Sequence, residues 1–138
     1  KMETIQLGDK FTLKLARASF TDALALKRLV LKKVKVGDIS LENIDPANIQ
    51  DITQMDTGSD FFKSVIAQVM LLEADEEIEQ SILKCAKKST INNEKITFDL
   101  FEDVELWPHL LDLKVEVLKY NLSPFFKGVL SSFERLMN

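Results

Sequence analysis

Several residue types that site chemistry usually recruits are scarce in this chain. There is one cysteine, Cys85, which precludes an internal disulfide and suits a reducing cytoplasm. His109 is the sole histidine, so His and Cys together are too few for a zinc site. The four glycines stand apart at positions 8, 37, 58 and 128, which rules out a glycine-rich phosphate loop. Apolar runs extend over only a few residues, too short to span a membrane, and Met2 is followed by polar and charged residues, so no signal peptide is expected. The acidic stretch 73–79 lacks the alternating oxygen ligands and central glycine of a calcium loop and reads as a helix N-terminus. A Cys85–His109 nucleophile pair is formally available. Cys85, however, falls on the apolar stripe of its helix, where a thiol is ordinarily buried and inert. No catalytic residue, cofactor or metal ligand is assigned.

What is present is the material of a core. The 138 residues suit one domain spanning 1–138, and 46% apolar with 29% charged side chains marks a globular chain. The net charge of −4 is unevenly spread. Residues 1–37 carry nine basic and three acidic groups, residues 38–112 carry five and seventeen, and the remainder is net +2. Either solvated faces of opposite sign compensate each other, or the asymmetry serves head-to-tail association or a charged partner. A net-acidic chain argues against nucleic acid as ligand.

Alternation of Ile5 and Leu7, then of Phe11, Leu13 and Leu15, predicts a β-hairpin over 3–15. A two-residue loop would put the two apolar sets on opposite faces. An odd loop of three or five residues pairs Leu7 with Phe11 and Ile5 with Leu13 on one face. A helix is predicted over 20–36, with Ser19 as N-cap, Gly37 as stop and Phe20, Ala23, Leu24, Val30, Leu31 and Val34 as its stripe. Lys27 points into that stripe and snorkels; Leu29 points away, as an ordinary exposed residue or part of a contact surface. Residues 38–58 are irregular, with a short helix over 46–54 conceivable from Pro46. Helices follow over 60–73 and 76–88, the latter with Ile78, Ile82, Cys85 and Ala86 inward and its charges matched to the dipole. Residues 90–97 are read as a small hairpin with Ile91 opposite Ile96, or an irregular turn. Phe98, Leu100 and Phe101 suggest one helical turn.

The last third predicts two helices, 103–121 and 124–137, packed antiparallel, with Ser123 capping and Pro124 at the first position of the second. The first carries Leu111, Val115, Leu118 and Leu122 on one line with Val117 and Leu110 beside it, and the second Phe126, Val129, Leu130, Phe133 and Met137. Pro108 requires a kink or a short separate turn at 103–107. The fold class is therefore mainly α (α+β): a helical domain with an N-terminal β-hairpin and a C-terminal antiparallel helix pair. Trp107, Leu29, Leu71 and Phe125 form a surplus of apolar side chains, which signifies either a generous core or association.

Three stretches carry a family resemblance. VEVLKYNLSPFFKGVLSSFERL at 115–136, ASFTDALALKRLVLKK at 18–33 and KCAKKSTINNEKIT at 84–97 resemble, in the same order, the small tail assembly chaperones of long-tailed bacteriophages. The resemblance implies a non-enzymatic protein of the infected host cytoplasm, absent from the finished virion. It would bind the tape measure protein, keep it soluble and help recruit tail tube protein, with a homo-oligomer possible and neither nucleic acid nor membrane involved. Leu26, Leu29 and Phe125 are the expected contact residues for client or self. The competing readings are a structural tail or neck component and an unrecognised small-ligand or enzyme domain.

Overall fold

The computed structural model describes the backbone of residues 2–36, 39–40, 58–72 and 74–137, and the side chains of 2–35, 62–72 and 74–125. The suggested helix over 46–54, Gly37 as a helix stop and the side chains of the 126–137 stripe lie outside the described residues.

Strands β1 (Glu3–Leu7) and β2 (Phe11–Leu15) pair antiparallel, with Leu7 opposite Phe11 and Ile5 opposite Leu13. The loop has three residues, as the common apolar face demanded. Gly8 opens it at φ +65°, a conformation few other residues enter without strain. Leu7, Phe11, Leu13 and Leu15 are buried. Two strands alone are marginal, and β2 gains a further neighbour in β5 (Thr90–Ile91). Strand β6 (Glu94–Lys95) completes a sheet of order β1-β2-β5-β6, all antiparallel. The turn between β5 and β6 is Asn92–Asn93, both at positive φ (50° and 67°), as a tight hairpin requires. That two-residue turn places Glu94, not Ile96, opposite Ile91; Ile96 follows the strand and is buried against the core. Asn92 also joins the two hairpins: its Oδ1 accepts from the Thr12 N–H at 2.8 Å, and its Nδ2 donates to the Lys10 carbonyl at 3.0 Å.

Helix α1 (Phe20–Lys33) begins where the Ser19 hydroxyl accepts from the Asp22 N–H. It ends at Lys33 rather than at 36, because Val34 turns extended and Lys35–Val36 (β3) pairs with Ile39–Ser40 (β4). The buried line along it is Ala23, Leu26, Val30 and Val34. Phe20, expected in the stripe, is 70% exposed, whereas Leu26 is wholly buried. Helix α2 (Gly58–Leu71) sends Val65, Ile66 and Val69 inward. Helix α3 (Glu76–Cys85) is capped by Asp75, whose carboxylate accepts from the Ile78 N–H, and it buries Ile78, Ile82 and Cys85, with Ala86 just beyond. It stops three residues short of 88, with Lys87 and Lys88 in the turn that follows.

Two 3₁₀ segments, Phe98–Glu102 and Val104–His109, fill the stretch around Pro108. Helix α4 (Leu110–Met137) then runs unbroken through Pro124, so the predicted antiparallel pair is one 28-residue helix. Its inward residues are Leu113, Val117, Leu118 and Leu122, so Leu118 and Leu122 of the predicted line and Val117 beside it are buried, whereas Leu111 is exposed and Val115 half-buried. A mid-helix proline offers no N–H to the carbonyl four residues earlier and crowds it. Here that carbonyl belongs to Tyr120, and the Arg17 guanidinium donates to it while lying over the Tyr120 ring, 4.0 Å from its centroid. The neighbouring Asn121 side chain accepts from the Ala18 N–H at 3.0 Å and donates to the Val117 carbonyl at 2.9 Å. The link from β2 to α1 is thus tied to α4 where proline weakens the helix. Helix α4 touches α1, α2, α3 and β2, and the core lies between them.

A candidate docking groove

Cys85 and His109, the formally available nucleophile pair, sit among different neighbours. Cys85 lies against α1, with its sulfur 3.4 Å from the Asp22 carbonyl, and burial together with the Asp22 charge pushes the thiol up to about 12. His109 packs edge-on to Phe11, ring centroids 5.7 Å apart, and against Gly8. Neither lines the apolar concavity beside α3. No group of His, Cys, Asp and Glu among the described residues has the arrangement to hold a metal ion. No helix among the described residues is long and apolar enough to cross a membrane.

Among the described residues an apolar concavity of about 760 Å³ lies between α3 and the two 3₁₀ segments. Its sheltered lining comes from Leu83, Ile96, Phe101 and Leu110, and its mouth from Phe98, 71% exposed, and Trp107, 61% exposed. Local sequence explains both. Thr97 and Asp103 interrupt the chain as caps of the two 3₁₀ segments, with the Asp103 carboxylate accepting from the Glu105 N–H at 3.0 Å. The Trp107 indole donates to the Phe101 carbonyl at 2.6 Å, which fixes the ring across the two segments. On the opposite wall Gln80, Leu83, Lys84 and Lys87 follow a three- and four-residue spacing, one exposed face of α3 and its following turn. Glu79 at the end of the groove is bonded to the buried Lys114 ammonium.

Ion pairs also tie elements of the body together. Lys33 bonds Asp75 at 2.8 Å and Glu77 at 2.8 Å, tying the end of α1 to the start of α3. The paired ammonium and the Ile78 N–H hold the Asp75 carboxyl below its usual value, and the two carboxylates hold the Lys33 ammonium above its own. Lys10 and Glu105 join the first hairpin to the second 3₁₀ segment, an exposed contact at 2.9 Å.

The three expected contact residues do not form one surface. Leu26 has no exposed area and belongs to the core. Leu29 is half-buried and packs on the core edge. Phe125 is half-buried, stacks beside exposed Phe20 at 6.2 Å between centroids and lies under the Lys27 ammonium at 5.3 Å. Lys27 and Leu29 stand two residues apart, hence roughly 200° round the helix, so Leu29 and Phe125 lie on opposite flanks of the buried line. Trp107 and Leu71, read as surplus apolar residues, are indeed exposed. Phe98, expected only as part of a helical turn, and Leu83 were not among the expected contact residues; the only signal was a lone leucine among polar residues on the outer face of α3, and a phenylalanine in an isolated helical turn.

No curated protein and no solved structure matches the chain significantly. A family model described as phage tail assembly chaperone protein, TAC, matches residues 8–133. That span takes in β2, β5 and β6, helices α1 to α3, most of α4 and the whole lining of the groove, and the chain belongs to the phage tail assembly chaperone family.

Proposed function

We propose that this protein is a non-catalytic chaperone that holds an apolar segment of another tail protein, the tape measure protein, in the groove beside α3, and so keeps it soluble until tail tube subunits assemble around it. The observation that carries the reading is the pair Phe98 and Trp107. Two large apolar side chains stay mostly in water at the mouth of an apolar concavity, while most of the other large apolar residues among the described ones fill or border a core. Membership of the family points to tail proteins as the partners. The smaller face of Phe20 and Phe125, and separately the Leu29 flank, are secondary contacts for client or for a second copy. The work is done in the host cytoplasm, and the protein leaves before the virion is complete.

Co-expression with the tape measure protein of the same phage tests this. Soluble tape measure should rise with the wild-type protein and fall with Phe98→Ser, which removes little core because the ring is already exposed. A yield that ignores Phe98→Ser removes the groove from the function, and a yield that ignores the chaperone itself removes the function. Mass spectrometry of purified particles should find none of the protein; stoichiometric amounts would make it a structural tail or neck component. Pull-down of tube subunits by the chaperone–client complex, and not by the chaperone alone, is expected.

A further inference from the structure

Resting on that reading of the groove, we infer that its occupant is an amphipathic helix of the partner protein carrying carboxylates along one flank of its apolar stripe. The wall supplied by Gln80, Leu83, Lys84 and Lys87 is a helical ridge, which packs against another helix by interdigitation. No residue of β5 or β6 lines the groove, so a docked strand would find no ladder there, whereas a helix meets its own backbone hydrogen bonds. The charges then select the flank. Glu79 is engaged by Lys114. Lys84 makes no ion pair among the described residues, and Lys87 has only a long contact with Asp22 at 3.8 Å. The uncommitted charge on the lining is therefore positive on a protein of net charge −4, and complementarity calls for a negative flank on the occupant.

Trp107 is the only tryptophan and stands at the mouth of the groove, so its emission reports occupancy directly. The probes are two synthetic amphipathic peptides of about 14 residues, four turns, with one shared Leu/Phe stripe and flanks made entirely of Glu or entirely of Lys. The Glu-flanked peptide should shift Trp107 emission with about tenfold higher affinity at low ionic strength, a preference that shrinks as salt is added. Lys84→Gln with Lys87→Gln should erase the preference, and Lys84→Glu with Lys87→Glu should reverse it, with the circular dichroism of each variant unchanged. Equal affinities, or an order untouched by charge reversal, overturn the charge selection and leave an apolar groove open to helices of any flank. A Trp107 signal that answers to neither peptide overturns the inference and the groove as docking site together, while co-expression decides separately whether the protein is a chaperone at all. Emission that shifts with the protein's own concentration assigns the groove to a second copy and overturns the inference as well.

Discussion

Pro124→Ala should make the protein more stable, and the sign of that change is diagnostic. Inside a continuous helix, proline costs about 3 kcal/mol relative to alanine, because it withdraws a hydrogen bond and crowds the preceding turn. Pro124 sits well inside α4, and the carbonyl it cannot serve, that of Tyr120, accepts from Arg17 instead. The Arg17 bond recovers about 1 kcal/mol of the loss. Alanine should therefore gain about 1–2 kcal/mol net, which for a domain of this size raises Tm by about 3–8 °C. Were Pro124 instead the first residue of a separate helix, its fixed φ would be an asset and alanine would be neutral or worse. Urea melts followed by far-ultraviolet circular dichroism measure the difference. A second arm tests the cause. Arg17→Met should cost about 1–2 kcal/mol in the wild-type background, by losing both the carbonyl bond and the cation–π contact. In the Pro124→Ala background the new N–H serves the carbonyl, so the same change should cost about 0.5–1 kcal/mol, the part due to the ring contact. A stability that drops with Pro124→Ala, or two changes that add without coupling, would refute the account of α4 as one helix bridged by Arg17.

Three further outcomes are expected. Asp75→Ala should lower Tm more than Asp75→Asn, since asparagine keeps the N-cap bond to Ile78 and loses only the charge pairing with Lys33. Because the native Asp75 carboxyl is depressed, its contribution is complete above the unfolded value near about 3.9 and is lost as pH falls through the native one. The wild type should thus lose more stability than Asp75→Asn in acid titration, and parallel curves would disprove the pairing. Gly8→Ala should cost about 1–3 kcal/mol, from the left-handed backbone and from a Cβ set 2.8 Å from the His109 ring. Combining it with His109→Ala should return the part due to contact and none of the part due to backbone. Cys85, its thiol pushed up to about 12 and buried, should react with a disulfide reagent only as fast as the protein opens, with a rate that follows added urea. Rapid stoichiometric labelling of the native protein would contradict its placement.

Elements whose polar and apolar residues alternate unambiguously were legible in the chain. The β1–β2 register followed from one requirement, that Leu7, Phe11 and Leu13 share a face, and the cap at Ser19 stood where a side-chain oxygen precedes apolar periodicity. Helix α1 was harder because it is apolar nearly all round. Phe20, Leu24 and Leu31 make as good a stripe as Ala23, Leu26 and Val30, and only the positions of α3 and α4 choose between them. That choice moved Leu26 from the surface into the core. The break at 121–124 was misread because serine followed by proline is the ordinary opening of a helix. The guanidinium that compensates it comes from Arg17, far away in sequence, and local patterning carries no trace of such a partner. The same limit hid the groove, whose two walls come from α3 and from the 3₁₀ segments around residue 103.

Pro108 connects the irregular local structure to the exposed surface. Proline is poorly suited to the interior of an α-helix that would run from Asp103 into α4, and the chain winds as a 3₁₀ segment until Leu110. In that winding side chains three apart eclipse one another. Val104 and Trp107 are accordingly exposed to nearly the same degree, 60% and 61%, and Leu110 continues their line into the groove, while Leu106 is turned into the core. An α-helix would step by about 100° per residue instead of about 120° and would splay Val104, Trp107 and Leu110 around its circumference. The tight winding thus gathers one aromatic and its neighbours on a single outward line, opposite the α3 ridge. It does so with little loss to the core, since Leu106 alone anchors the segment beneath. Apolar surface concentrated in this way, on a turn braced by the Trp107–Phe101 bond and the Asp103 cap, is held in place before any partner arrives. A chaperone gains from that, because a pre-formed groove spends none of its weak apolar contact energy on ordering itself.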